Sequence, residues 1–305
     1  MPTTVPIGVF NIARSEVDRE EVKRWTDFIG ADEFELPEEE SVTNPALLVA
    51  LAAKRCYKSF QPSLNPNVTR VRKDYAEYLD NILKSGHGSV MEHAVYTFAI
   101  ENVSRVFTGE MNRHRAGWAI SEGSMRYIRY EDIPYWVPTS LKGEDVLPRD
   151  TARTIVCDAC CAATEGDGVV DLTCDGSIAL TIDVKKQLSR EVFMVAFAEM
   201  ESNYSILQTI WADELKPDSK FKDKKQVTSM MRRIIGMGVA TGGVWTGNIR
   251  ALRHVITMRA SEAAEEEILH VFTRVAKLLV EKEPSLFGDF EETPEGFWVP
   301  KYSKV

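Results

Sequence analysis

His93-Ala94-Val95-Tyr96-Thr97-Phe98-Ala99-Ile100-Glu101 is the stretch on which the fold class turns. It is dense in β-branched and aromatic residues, which predicts a strand. Before it, residues 71–83 carry Tyr75, Tyr78, Leu79 and Ile82 at helical spacing, and Ser85-Gly86-His87-Gly88 stops that helix. After it, 103–115 returns to helical spacing. Over 124–130, Met125, Tyr127 and Arg129 alternate with Ser124, Arg126 and Ile128, which predicts a second strand. Farther out, Asn44-Pro45 opens an apolar helix through Leu47, Leu48, Leu51 and Ala52, with Pro in the first turn that tolerates it. A long amphipathic helix is expected over 185–215 and another over 225–235. A glycine-rich turn follows over 236–247, then helices over 248–259 and 261–282. Helices flank a few strands without βαβ alternation, so the class is α+β, with a small sheet and long helices.

The 305 residues include 37 Lys or Arg and 46 Asp or Glu, for a formal charge of −9. That length can bury a full core, and 44% hydrophobic with 27% charged residues is globular composition. No run approaches the ~18 apolar residues of a membrane span. Met1-Pro2-Thr3-Thr4-Val5-Pro6 lacks the basic and apolar regions of a secretory signal, so a cytoplasmic location is expected. The acidic balance argues against a general nucleic-acid binder. Residues 31–40 hold six acids and no base, a solvated surface segment.

Residues 131–185 read as an irregular, insert-like stretch within a single domain spanning 1–305. Prolines and glycines punctuate it around Cys157, Cys160, Cys161 and Cys174; the fifth cysteine is Cys56. A tetrahedral zinc site pairs one Cys-x-x-Cys with a second pair or with histidines. Here the second half is a lone Cys, so reduced thiols and no metal are expected.

The densest chemistry is Glu110-Met111-Asn112-Arg113-His114-Arg115, then Glu122-Gly123-Ser124-Met125-Arg126-Tyr127. From 105 to 130 there are five arginines against two glutamates, a local charge of +3. Guanidinium forks suit phosphate oxygens. Surface ion pairing explains the same composition, and with Trp118, Tyr127 and Tyr130 an RNA-binding segment is the alternative function. His87-Gly88-Ser89-Val90-Met91-Glu92-His93 does not have the His-Glu-x-x-His spacing of a metal hydrolase. In Asn248-Ile249-Arg250 through His254 to Arg259, Asn248 reads either as a helix cap or as a site residue on the face of Arg259.

Together these stretches resemble the flavin-dependent thymidylate synthases. That family's signature runs Arg-His-Arg, seven variable residues, then Ser and usually Arg-Tyr; Arg113-His114-Arg115 and Ser124-Met125-Arg126-Tyr127 look like its two ends. His87 to His93 resembles the family's His-x-Ser/Thr-x-x-Glu-His segment. Asn248-Ile249-Arg250 to Arg259, with Ala264-Glu265-Glu266-Glu267-Ile268, resembles its Asn-x-Arg and Ala-Gln-x-Glu-Ile helix pair. The likeness covers about 45–130 and 225–285. The sequence departs in having eight residues between Arg115 and Ser124, Glu110 and Glu265 for usual Gln, His254 for Asn, and Gly236 for Pro.

The resemblance implies carbon-5 methylation of a uridine monophosphate nucleotide, with methylenetetrahydrofolate as carbon donor, reduced FAD as hydride source, NADPH to recharge it, and a homotetramer. By motif position Arg259 is the catalytic residue, stabilising negative charge on the uracil ring. Glu110, Met111, Asn112, Arg113, Glu122, Gly123, Ser124, Met125, Arg126 and Arg232 match substrate positions, with Arg113, Arg126 and Arg232 on the phosphate. Cofactor positions carry over to His87, Ser89, Arg113, His114, Arg115, Glu122, Asn248, Ile249, Arg250 and His254. Ser124 has no His-Asp pair to make it a nucleophile. Glu110 is expected to pair with Arg113 or to face the sugar, where accepting a ribose 2′-hydroxyl would admit UMP beside dUMP.

Overall fold

The computed structural model describes residues 3–141 and 182–304. The chain separates into two compact units, Met1–Val5 with Ser124–Ala240, and Pro6–Gly123 with Thr241–Val305. The first contains β1 (Thr3–Thr4) paired in parallel with β5 (Pro134–Tyr135), and the helices α5 (Ile182–Ile210) and α6 (Phe221–Met231). Its core gathers Tyr130, Ile133, Tyr135, Phe197, Tyr204 and Met231, with the Tyr135 ring stacked 3.9 Å from that of Phe197.

The second unit is built on a four-stranded sheet in the order β2 (Gly8–Arg14), β3 (Val95–Ser104), β6 (Ala240–Asn248), β4 (Trp118–Glu122). The outer pairs are antiparallel, with Trp118 opposite Gly247 and Glu122 opposite Gly243. Tyr96, Phe98 and Ile100 on β3 point into the core. There they meet apolar faces of α2 (Asn44–Tyr57), α3 (Tyr75–Lys84), α4 (Arg105–Met111), α7 (Ile249–Arg259) and α8 (Glu266–Lys282). A helix α1 (Arg19–Phe28), a short α9 (Pro284–Phe287) and a hairpin of β7 (Phe290–Glu292) and β8 (Trp298–Pro300) complete it. Among the described residues no helix is long and apolar enough to cross a membrane.

Several boundaries differ from the sequence expectation for local reasons. Residues 124–130 form a turn, not a strand, because Tyr127 and Ile128 amides donate to the Ser124 carbonyl at 3.0 and 3.1 Å. The strand there is β4, just upstream. The glycine-rich 236–247 segment is mostly β6 rather than a turn. Its glycines permit close approach: a Cβ on Gly247 would lie 2.9 Å from the Trp118 ring. The helix expected over 103–115 is only α4, because Ser104 caps its start and the chain turns after Met111. That expected over 261–282 begins at Glu266, where the Glu265 carboxylate accepts from the Glu267 and Ile268 amides. The remaining ends shift by a few residues: α3 starts at Tyr75 behind the Asp74 cap, α5 stops at Ile210, and α6 gives way at Arg232 to a 3-10 turn. Most of the 131–185 segment, with its four cysteines, lies outside the described residues.

Glu267 fastens α8 to the start of α4. It is fully buried, accepts from the Ser104 amide at 2.5 Å, and bonds the Ser104 hydroxyl. Burial pushes its carboxyl up to about 7, against the opposing pull of the Ser104 bonds. Between its ordinary value of 4.5 and about 7 the folded chain therefore holds a proton that the unfolded chain has released. Its contribution falls as pH rises through that window, at up to roughly 1.4 kcal/mol per pH unit. Glu267→Gln should flatten this slope when urea unfolding is followed from pH 5 to 7. An unchanged slope would assign the titration to another group.

Candidate active site

The second unit holds most of the candidate residues, on three neighbouring pieces of chain. Past the end of α4, the Arg113 and His114 amides donate to the Glu110 and Met111 carbonyls at 3.1 and 3.0 Å. This turn leaves Arg113 and Arg115 exposed and His114 half-buried. Arg259, the last residue of α7, reaches the same place. Its Nη1 lies 2.9 Å from Glu110 Oε2, and its Nε donates to His114 Nε2 at 3.0 Å. Glu110 is thus paired with Arg259 and not with Arg113. The helix that would have put Glu110 and Arg113 side by side stops at Met111.

Accepting from a guanidinium requires His114 Nε2 to be unprotonated, so the ring is neutral with its proton on Nδ1. The surroundings favour this. Burial, the Arg259 charge and His254, whose ring stands 6.4 Å away, all push the His114 imidazole below its ordinary value.

Glu122, at the end of β4, is ion-paired with Arg105 and accepts from Asn112 Nδ2 at 3.3 Å. Arg105 also donates to the Gly123 carbonyl at 2.7 Å. Arg105 therefore fixes the Glu122-Gly123 segment, a role the motif did not assign to it. The cluster of five arginines was the signal available, but it does not distinguish a structural arginine from a phosphate ligand. Met111 and Ile249, both candidates, have side chains fully buried in the core. Only their backbones could meet a ligand.

The third piece is the 3-10 turn Gly88–Glu92 beside the start of α7. Arg250 Nη1 pairs with Glu92 Oε1 at 2.6 Å. A Cβ on Gly88 would sit 2.7 Å from Arg250 Nε, so the turn's backbone lies directly against the guanidinium, and a larger residue there would displace the Arg250 side chain. Asn248 is the cap of α7, accepting from the Ala251 amide at 2.8 Å. His87 stacks on Tyr57, 5.5 Å between ring centres, with the tyrosine hydroxyl 3.0 Å from its Nε2. Tyr57 is a neighbour the sequence did not indicate. Ser89 and His254 are exposed.

All the cofactor candidates thus belong to one unit. The donor set, with exposed Arg113, Arg115 and Ser89, a half-exposed Arg250 and a glycine-thin turn, fits the diphosphate and polar ring edge of a flavin dinucleotide. In the other unit, Ser124 and Met125 are half-buried, Arg126 is exposed with its guanidinium 5.5 Å from the Tyr127 ring, and Arg232 begins the 3-10 turn after α6.

A family model described as thymidylate synthase complementing protein matches residues 40–285. A flavin-dependent thymidylate synthase of Mycobacterium sp. (strain JLS) is 29% identical over 294 residues, covering 96% of this chain and 94% of that protein. One of Corynebacterium diphtheriae is 28% identical over 253 residues, 82% of this chain and 81% of its own. Among solved structures, the UMP/dUMP methylase PolB of Streptomyces cacaoi, bound with 5-Br UMP, superposes with a TM-score of 0.55. It covers 94% of this chain and 95% of its own at 15% identity, a likeness of fold. Motifs, fold and family match agree: the chain belongs to the thymidylate synthase complementing protein family and is an enzyme of the flavin-dependent thymidylate synthase kind.

Proposed function

We propose that this enzyme methylates carbon 5 of a uridine monophosphate nucleotide, dUMP or UMP. Methylenetetrahydrofolate is the carbon donor, and NADPH the reductant that restores the flavin. The observation that carries the reading is Arg259, held by Glu110 and His114 at the end of α7. Attack from carbon 5 requires negative charge to be spread onto N3 and O2 of the uracil. A guanidinium has five N–H donors and keeps its own proton. With one donor on His114 and one on Glu110, three remain for O2 and N3 of the uracil. Arg113, Arg126 and Arg232 are assigned to the phosphate and Ser124 to a hydrogen bond with the nucleotide. By motif position Glu122, Gly123, Asn112, Met125 and the Met111 backbone are assigned to the same nucleotide, and in a homotetramer these residues need not converge within one chain. Ser89, Arg113, His114, Arg115, Asn248, Arg250 and His254 hold the flavin, with His87 and the Ile249 backbone beside them. Bound there, reduced FAD would supply the hydride that turns the transferred methylene into a methyl group. A homotetramer in the cytoplasm, with the whole chain serving one catalytic activity, completes the proposal.

Purified protein with FAD, NADPH, methylenetetrahydrofolate and dUMP should form thymidylate and show the yellow of oxidised flavin. No thymidylate at any folate concentration, after FAD has been added back, would overturn the reading. Steep salt-dependent RNA binding without a chromophore would favour the nucleic-acid alternative instead.

A further inference from the structure

We propose that Glu110 is a positioning residue for Arg259, setting the direction of its guanidinium before the nucleotide arrives, and is not a contact to the sugar. The inference rests on the activity proposed above and extends it to a residue for which the motif gave a different task. Glu110 Oε2 takes Nη1 of Arg259 at 2.9 Å while His114 Nε2 takes Nε at 3.0 Å. Two acceptors on different nitrogens of a planar fork fix its plane and its rotation, which one acceptor cannot do. Arginine otherwise loses considerable rotamer entropy on being held in one geometry. Supplying that order within the free protein keeps it out of the binding and reaction steps. Both ends of the clamp come from the last turn of α4 and the turn after it, the segment that Ser104 and Glu267 anchor from beneath. Glu110 and Arg259 side chains are 29% and 21% exposed, so a substrate can reach the remaining N–H groups without dismantling the clamp.

The roles separate by experiment on the flavin-loaded enzyme. Glu110→Gln keeps an oxygen that can accept from Nη1, whereas Glu110→Ala removes the acceptor. For a positioning residue, Glu110→Ala should lower kcat about tenfold or more with the nucleotide KM within threefold. Glu110→Gln should stay within about threefold of wild type in both constants, and the UMP to dUMP ratio of kcat/KM should be the same in all three proteins. A raised KM with kcat retained in Glu110→Ala, or a changed UMP to dUMP ratio in either variant, would overturn the proposal and restore Glu110 to the substrate. Crystal structures of the two variants give a readout independent of turnover. The Arg259–His114 bond should persist in Glu110→Gln and be lost in Glu110→Ala; its persistence in Glu110→Ala would overturn the clamp. If wild type forms no thymidylate, the proposed activity fails while the crystal structures still decide the clamp.

Discussion

Arg259→Ala should lower the rate of thymidylate formation by roughly a hundredfold or more, the effect of removing one donor aimed at developing charge, about 2.7 kcal/mol or above. The loss should fall mainly on kcat, because the charge it meets is larger in the transition state than in bound nucleotide. Arg259→Lys should recover little. A lysine ammonium is a point donor, and it cannot reach Glu110 and His114 in the arrangement of Arg259 and still present a planar edge to the ring. Arg259→Ala also leaves His114 without the hydrogen bond and the nearby positive charge that help hold it neutral, so its imidazole should titrate at higher pH in that variant. Steady-state kinetics with dUMP and a histidine proton titration read the two effects separately. Near-normal turnover in Arg259→Ala would move the activating role elsewhere.

What the sequence made legible follows from how local each signal is. The helix opened by Asn44-Pro45 is α2, because a proline in the first turn and a continuous apolar face are both local facts. β3 was equally plain, since β-branched and aromatic residues crowd residues 93–101. β2 was not, because Phe10 and Ile12 stand more than half exposed and offer no alternation with a polar face. The glycines of 236–247 read as a turn by propensity. Their use in β6 depends on what lies across from them, such as Trp118 beside Gly247, and this is a tertiary fact. The site shows the same division. Spacing placed Arg113-His114-Arg115 and Arg259 among the functional residues, yet it offered Arg113 as the partner of Glu110. Only the end of α4 at Met111 and the arrival of α7 make Arg259 the partner.

The largest effect on stability should come from a residue no motif marks. Arg253 lies on the buried face of α7, the helix that also carries Arg250, His254 and Arg259. It forms a two-pronged pair with Asp289, Nη1 to Oδ1 at 2.6 Å and Nη2 to Oδ2 at 2.8 Å, with side chains only 2% and 6% exposed. It also donates to the Leu286 carbonyl at 2.5 Å and lies 4.8 Å from the Phe290 ring. Asp289 in turn accepts from the Tyr302 amide at 3.2 Å, and Trp298 donates to the Ala260 carbonyl just past Arg259. The pair thus ties α7 to the C-terminal hairpin. Asp289→Ala leaves a guanidinium buried without its counter-charge, a change that costs roughly 3–5 kcal/mol. Its urea midpoint should drop accordingly at an unchanged denaturant slope. Removing both charges, as Arg253→Met with Asp289→Leu, should recover part of the loss, because no isolated charge then remains. Recovery stays incomplete because the Leu286 carbonyl and the Tyr302 amide lose their partners. A single variant losing less than about 1 kcal/mol would mean that water reaches Arg253 once Asp289 is gone. The hairpin would then not be what holds the end of α7, and Arg259 with it, in place.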